Sequence, residues 1–231
     1  MKQYLSYFAF TALSFFASCN KSDVDAIDSN RYGVLEEGNY IIYDVREENY
    51  SAGKNAPDVS SWQEKDQVVS LSQENANSTV ALIARYKRSG DNDYWTKVKE
   101  FRIVRSPDKL LTTIDNESFL SLVFPLNKGM SWNGNQYNNR DAEDYHYEDI
   151  DLPLTIAEQN FGNSLTVVER QDSSIINKYT GIKKYALDVG LVYDDQVSYE
   201  YCQTPECLNS DIRKIESGYH RVRSLKKFGS N

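Results

Sequence analysis

The 231-residue chain has two histidines, three cysteines, two methionines and five prolines, and its 26 Lys+Arg fall short of its 34 Asp+Glu. His146 and His220 have no second histidine or cysteine at ligand spacing, which argues against a histidine-based metal centre. No Gly-x-Ser-x-Gly elbow leads into a helix pattern, so the hydrolase arrangement with the clearest local signature is missing. A formal net charge of −8 supplies no basic surface to neutralise phosphates, so nucleic acid is not an expected partner. The same acidity argues against electrostatic docking on anionic lipid. No motif calls for a cofactor. Long apolar runs are absent after the N-terminus, and hardly any window has helical period, so membrane-spanning helices and a helical bundle are not expected.

What is present begins at the N-terminus. Lys2 is followed by an apolar run, Tyr4 to Phe16, and then by Ala17, Ser18 and Cys19. The run is too short to span about 30 Å of hydrocarbon. Residues 1–18 resemble a bacterial lipoprotein signal, with Phe16 where Leu is usual. In such lipoproteins the signal is cut before the cysteine, whose thiol takes a diacylglycerol and whose new amino group is acylated. The resemblance makes Cys19 a lipidation site and the membrane a partner through that anchor. Two or more acyl chains give stable attachment, at about 0.8 kcal/mol per buried CH₂. Asn20, where some lipoproteins carry Asp, favours an outer-membrane location, on the periplasmic side or at the cell surface. Residues 19–31 are polar and acidic and read as a flexible tether, leaving 32–231 as one domain of ordinary size.

With Cys19 assigned to the anchor, Cys202 and Cys207 admit one intramolecular pairing, expected to be a disulfide in an exported protein. Closing so short a loop contributes on the order of 2 kcal/mol, enough to pin a turn but not to hold a domain together. Between Tyr40 and Phe228 the chain offers short β-branched and aromatic runs separated by Gly, Asn, Asp and Pro. Strands are expected at Tyr40–Val45, Thr79–Tyr86, Trp95–Val104, Ser118–Phe124, Ser164–Glu169, Tyr185–Tyr193 and Gly218–Phe228. Thr155–Phe161 reads as a short helix, and Asn177–Lys184 as a connector or a further strand pair. The fold class is therefore all-β: an antiparallel, barrel-like or strongly curved sheet of lipocalin-like type, with few short helices.

Three groups of residues could carry chemistry. Asp141, Glu143 and Asp144, near Glu148, Asp149 and Asp151, form the best candidate for a calcium site, which takes six to eight oxygens. Alternation along Tyr145–Asp151 instead places several of these carboxylates on a solvated strand face. Acidic pairs could also serve a carboxylate-dependent hydrolase acting on glycans. Among the aromatics, Trp95, Trp132 and Tyr193 are candidates to face a ligand, and Trp132 falls between Gly129 and Gly134, outside the expected strands.

Phe124-Pro125-Leu126, Gly129, Trp132-Asn133-Gly134-Asn135 and Tyr137-Asn138, followed by Tyr185-Ala186 and Val189-Gly190-Leu191-Val192-Tyr193, resemble a family of small Bacteroidetes lipoproteins. Gly218-Tyr219 and the basic strand after it also fit. The chain departs from the family at Asp188, where a basic or small residue is expected, and in the Cys202/Cys207 loop. The family is largely uncharacterised, and some members carry a lipid-binding label. The resemblance implies a barrel-like domain at the membrane and no catalytic residues. The expected function is a non-enzymatic lipoprotein that binds an apolar or amphipathic ligand or a partner protein. The alternatives are a structural or assembly lipoprotein of an envelope complex, or the hydrolase above.

Overall fold

The computed structural model describes residues 28–209 and 213–231. The signal segment 1–18 and Cys19 lie outside the described residues. Among those described, no helix is long and apolar enough to cross a membrane.

Twelve strands follow one another: β1 (Asn39–Tyr50), β2 (Asp58–Asn75), β3 (Ser78–Arg88), β4 (Thr96–Ser106), β5 (Lys109–Ile114), β6 (Glu117–Val123), β7 (Ser131–Asn133), β8 (Asp144–Ile156), β9 (Gln159–Ser173), β10 (Asn177–Ala186), β11 (Gly190–Tyr201) and β12 (Ile215–Ser230). A 3-10 turn, Ser29–Gly33, precedes them, and one helical turn, α1 (Pro205–Leu208), sits between β11 and β12. Every neighbouring pair is antiparallel, and β1 joins β12 over its whole length, from Asn39 opposite Ser230 to Tyr50 opposite Gly218. The strands thus run in chain order around a nearly closed barrel, in line with the all-β, barrel-like expectation.

The two edges left over, β6 and β7, are stitched where a backbone ladder would otherwise run. Leu120 N donates to Gly134 O at 2.9 Å, and the Trp132 indole Nε1 donates to Leu120 O at 2.8 Å. The Tyr147 hydroxyl accepts from Val123 N and donates to Val123 O, and a bridge pairs Ser118 with Tyr137. Side-chain donors and acceptors thereby take over the satisfaction of edge backbone groups. Trp132 belongs to β7 rather than to a loop, is 9% exposed, and packs its ring on Tyr147 at 4.6 Å.

Two expectations fail locally. Thr155–Phe161 is not a helix but the tip of the β8–β9 hairpin, where Ala157 and Glu158 both adopt positive φ, 47° and 65°. That is the two-residue turn whose twist matches paired strands, built here without the usual Asn-Gly. Tyr185–Tyr193 is not one strand but the end of β10 and the start of β11, folded back through Asp188 (φ 63°) and Gly190 (φ 99°).

The largest core cluster gathers Tyr32, Leu110, Leu120, Leu122, Phe124, Trp132, Tyr145, Tyr147, Leu165, Val167 and Tyr185. Tyr32 is fully buried in it and donates to Asp151, so the 3-10 turn closes one end of the barrel. Arg31 fixes that turn to the β10–β11 corner by a forked pair with Asp188, whose own amide donates to Arg31 O at 3.0 Å. Chain entry and chain end share this side, since Asn231 N donates to Gly38 O.

At Gly134, beside the seam, a Cβ would lie 2.3 Å from the Tyr145 ring, whereas at Gly162 it would meet nothing within 4 Å. Gly134→Ala is expected to cost roughly 1–3 kcal/mol, the usual range for overpacking, and Gly162→Ala less than about 0.5. Urea unfolding of the two variants beside the wild type checks this, and equal midpoints for all three would contradict the tight seam.

Candidate functional site

Eleven of the twelve strands, all but β7, contribute to the lining of an interior cavity of about 730 Å³. Ligand pockets ordinarily run from roughly 300 to 1,000 Å³. The cavity stays open because one part of its wall is charged and engaged with itself. Asp66 comes from β2, Arg85 from β3, Glu169 from β9, Lys183 from β10, Asp194 and Gln196 from β11, and Arg223 from β12, and Glu64 of β2 backs Arg223 without lining the cavity. Strand alternation turns each of these inward, where apolar residues would otherwise fill the barrel.

Arg223 is the hub, at 4% exposure. Its Nη2 donates to Asp66 Oδ2 at 2.9 Å, its Nη1 lies 3.5 Å from Asp194 Oδ2, and its guanidinium stacks 4.2 Å over the Tyr43 ring. Its Nε stands 2.9 Å from Glu64 Oε2 without the alignment of a hydrogen bond, so that contact is one of charge alone. Arg85 grips the same Asp66 with two parallel bonds of 2.6 and 2.7 Å. On the neighbouring strands Lys183 donates to Glu169, and the Gln196 amide bridges Glu169 (3.0 Å) and Asp194 (2.8 Å).

These contacts hold the charges in place. Burial alone would raise the Asp66 carboxyl, but Arg85 and Arg223 outweigh it and leave the pKa below the usual aspartate value. Asp194 is likewise lowered, with burial opposed by Lys183 and Arg223. Burial pulls the Lys183 ammonium down, and Glu169 and Asp194 more than reverse the effect. The cavity's aromatic hydroxyls behave as neutral hydrogen-bonding groups, since burial pushes Tyr43, Tyr145 and Tyr185 above the normal tyrosine range.

The residues singled out in the sequence lie elsewhere. Trp132 is in the seam, Trp95 stacks beneath Arg88 at 4.3 Å, and Tyr193 donates to Asp195 at 3.2 Å, its hydroxyl pushed up to about 12 by burial and then by Asp195. None of the three lines the cavity. Asp141 and Asp144 are exposed, Glu143 lies 3.4 Å from Arg170, and among the described residues no three acidic, histidine or cysteine side chains converge as metal ligands. Neither these three residues nor Glu148, Asp149 and Asp151 line the cavity. Cys202 and Cys207 are joined, with Cα atoms 5.8 Å apart, in the β11–β12 connection at the rim opposite the 3-10 turn. The polar wall escaped sequence reading because its members are single charged residues spread over six strands. Only the shared inward parity of Glu64, Asp66 and Arg85 hinted at it.

No protein-family model matches the chain, and neither does any curated protein. Two solved structures align along most of it. A protein provisionally described as a lipoprotein, from Parabacteroides distasonis, is 11% identical with a TM-score of 0.41, over 83% of this chain and 96% of that one. A domain provisionally described as an outer-membrane lipoprotein-sorting protein, from Vibrio parahaemolyticus, is 7% identical with a TM-score of 0.21, over 87% and 89%. Likeness at this level transfers no residue roles.

The lowered Asp66 and Asp194 set the sign of an acid transition. The unfolded chain takes up their protons near pH 4 and the folded chain only below that, so their stabilisation is present above about pH 4 and is lost as pH falls further. Arg223→Met, which removes the cation shared by Asp66, Glu64 and Asp194, is expected to cost roughly 3–5 kcal/mol at pH 7. Urea titrations from pH 7 to pH 3 measure both effects. A variant with wild-type stability would show that the buried network is not coupled to folding.

Proposed function

We propose that this chain is a cell-envelope lipoprotein, held at the outer membrane through Cys19, whose barrel binds an amphipathic small molecule and catalyses no reaction. The open interior, about 730 Å³ within a barrel that could have been filled by side chains, carries the reading. A purely polar ligand would leave Leu35, Val68, Ile83 and Phe101 unused, and the wall with Asp194, Gln196 and Arg221 offers an amphipathic one polar contacts. The signal-like segment supports the location, as do the two hallmarks shared with the Bacteroidetes lipoproteins. The carboxylates Asp66 and Asp194 are held ionised by cations, which suits binding better than the acid and base pair of a hydrolase.

The chain enters the barrel at its plugged end, beside Tyr32. An anchor at Cys19 would therefore sit on that side, turning the rim with the Cys202–Cys207 loop away from the lipid.

Two measurements test the two halves. Growth of an expressing bacterium with an alkyne fatty acid should label the wild type and leave Cys19→Ala unlabelled; equal labelling would remove the anchor. The protein purified in its full mature form should displace or brighten 1-anilinonaphthalene-8-sulfonate stoichiometrically and give an amphiphile on organic extraction. Absence of both would remove the ligand.

A further inference from the structure

The cavity lining changes along the barrel axis. Going away from the plugged end, Val68 gives way to Asp66 on β2, Ile83 to Arg85 on β3, Tyr185 to Lys183 on β10, Leu191 to Asp194 on β11 and Phe228 to Arg223 on β12. Farther from that end lie Arg221 on β12 and Arg140, which sits over the Phe119 ring at 5.3 Å. The interior therefore has an apolar floor beside Tyr32 and Leu35, a charged middle layer, and further cations beyond it. Along β12, Arg221 and Phe228 are roughly 20 Å apart, at about 3.3 Å per residue.

The cations of the lining are not equally occupied. Arg85 and Arg223 both bond to Asp66, Lys183 bonds to Glu169, and Arg140 is gripped by Glu117 through two bonds of 2.9 and 2.5 Å. Arg221 has no such carboxylate among the described residues. Its nearest ion contact is Glu47 at 4.0 Å, its Nε makes no hydrogen bond, and its side chain is 41% exposed. A guanidinium offers a planar fork of donors that fits an anionic oxygen pair, so Arg221 is the cavity cation with binding capacity left over. The middle layer, in contrast, is satisfied within the wall. A hydrocarbon chain passing it breaks none of those bonds and leaves no charge unpaired.

Accepting that the barrel binds a small amphiphile, we propose that its ligand is a single-chain one with an anionic head, held lengthwise: the head on Arg221 and the hydrocarbon tail directed to the plugged end, among Val68, Ile83 and Leu191. Polarity that changes along the molecule matches polarity that changes along the cavity. A carboxylate and a phosphate monoester share the chemistry that Arg221 recognises.

Laurate, dodecyl phosphate and dodecyltrimethylammonium carry the same tail on different heads, and each can be titrated below its micellar range by calorimetry into the mature chain from Cys19 onward, made without acyl groups. At least one of the two anions is expected to bind at one site and at least about tenfold tighter than the cation, and the tighter anion identifies the head group. Octanoate should bind roughly a hundredfold more weakly than laurate, at about 0.8 kcal/mol per CH₂ removed. Arg221→Gln should weaken the anions about tenfold and leave the cation unchanged, with circular dichroism and the urea midpoint confirming that the variant folds. In the wild type, stearate carrying a nitroxide at its methyl end should broaden the Val68 and Leu191 methyl signals and spare the Arg221 side chain. The cation binding as tightly as both anions, a preference for anions that survives Arg221→Gln, or the reverse broadening pattern would overturn the oriented anionic chain and leave the barrel's binding role standing. If none of these probes binds, nor 1-anilinonaphthalene-8-sulfonate, the binding role falls as well.

Discussion

The architecture turns on one buried guanidinium. Arg223 reaches from β12 to Asp66 and Glu64 on β2 and to Asp194 on β11, and it lies over the ring of Tyr43 on β1. A charge taken out of water costs several kcal/mol unless it is paired and hydrogen-bonded, so these strands must hold register if Arg223 is to be satisfied. It sits where the first and last long strands meet, and there the pairing runs without a break from Tyr43 to Tyr50. The same ionic cluster occupies wall positions without packing across the interior, which is why the barrel stays open.

Closure at the other side is reached by different means. The β6 and β7 edges meet through Trp132, Tyr147, a backbone bond at Leu120 and the Ser118–Tyr137 bridge, and the 3-10 turn brings Tyr32 into the same cluster. Aromatic side chains with one polar atom suit this place, because they fill the space between edges and satisfy an exposed carbonyl or amide together. Trp132 and its neighbours in β7 thus serve barrel closure, and the cavity lies apart from Trp132.

How much could be read beforehand varied with the chemistry of each strand. β3 was legible because Thr79–Tyr86 is a short apolar run with β-branched and aromatic members, followed by the turn residues Ser89-Gly90-Asp91-Asn92. β2, with 18 residues the longest strand, was not, since its inward positions are Glu64 and Asp66 and the usual alternation of apolar and polar is therefore blurred. The hairpin at Ala157-Glu158 carries helix-forming residues at positions of positive φ, so local preference pointed the wrong way. Asp188 finds its reason in the left-handed corner it occupies and in its pair with Arg31.

The sequence by itself determined the all-β class and the antiparallel, barrel-like sheet, because strand-forming runs and turn residues are local properties that survive without knowledge of neighbours. It also supplied the lipoprotein-like segment ending at Cys19, a signal written in consecutive residues. Only the tertiary structure decided that there is a cavity, and which charged side chains meet in its wall. Those facts depend on which strands lie beside one another in a closed ring, and residues as distant as Asp66 and Arg223 show nothing of their partnership until the ring is formed.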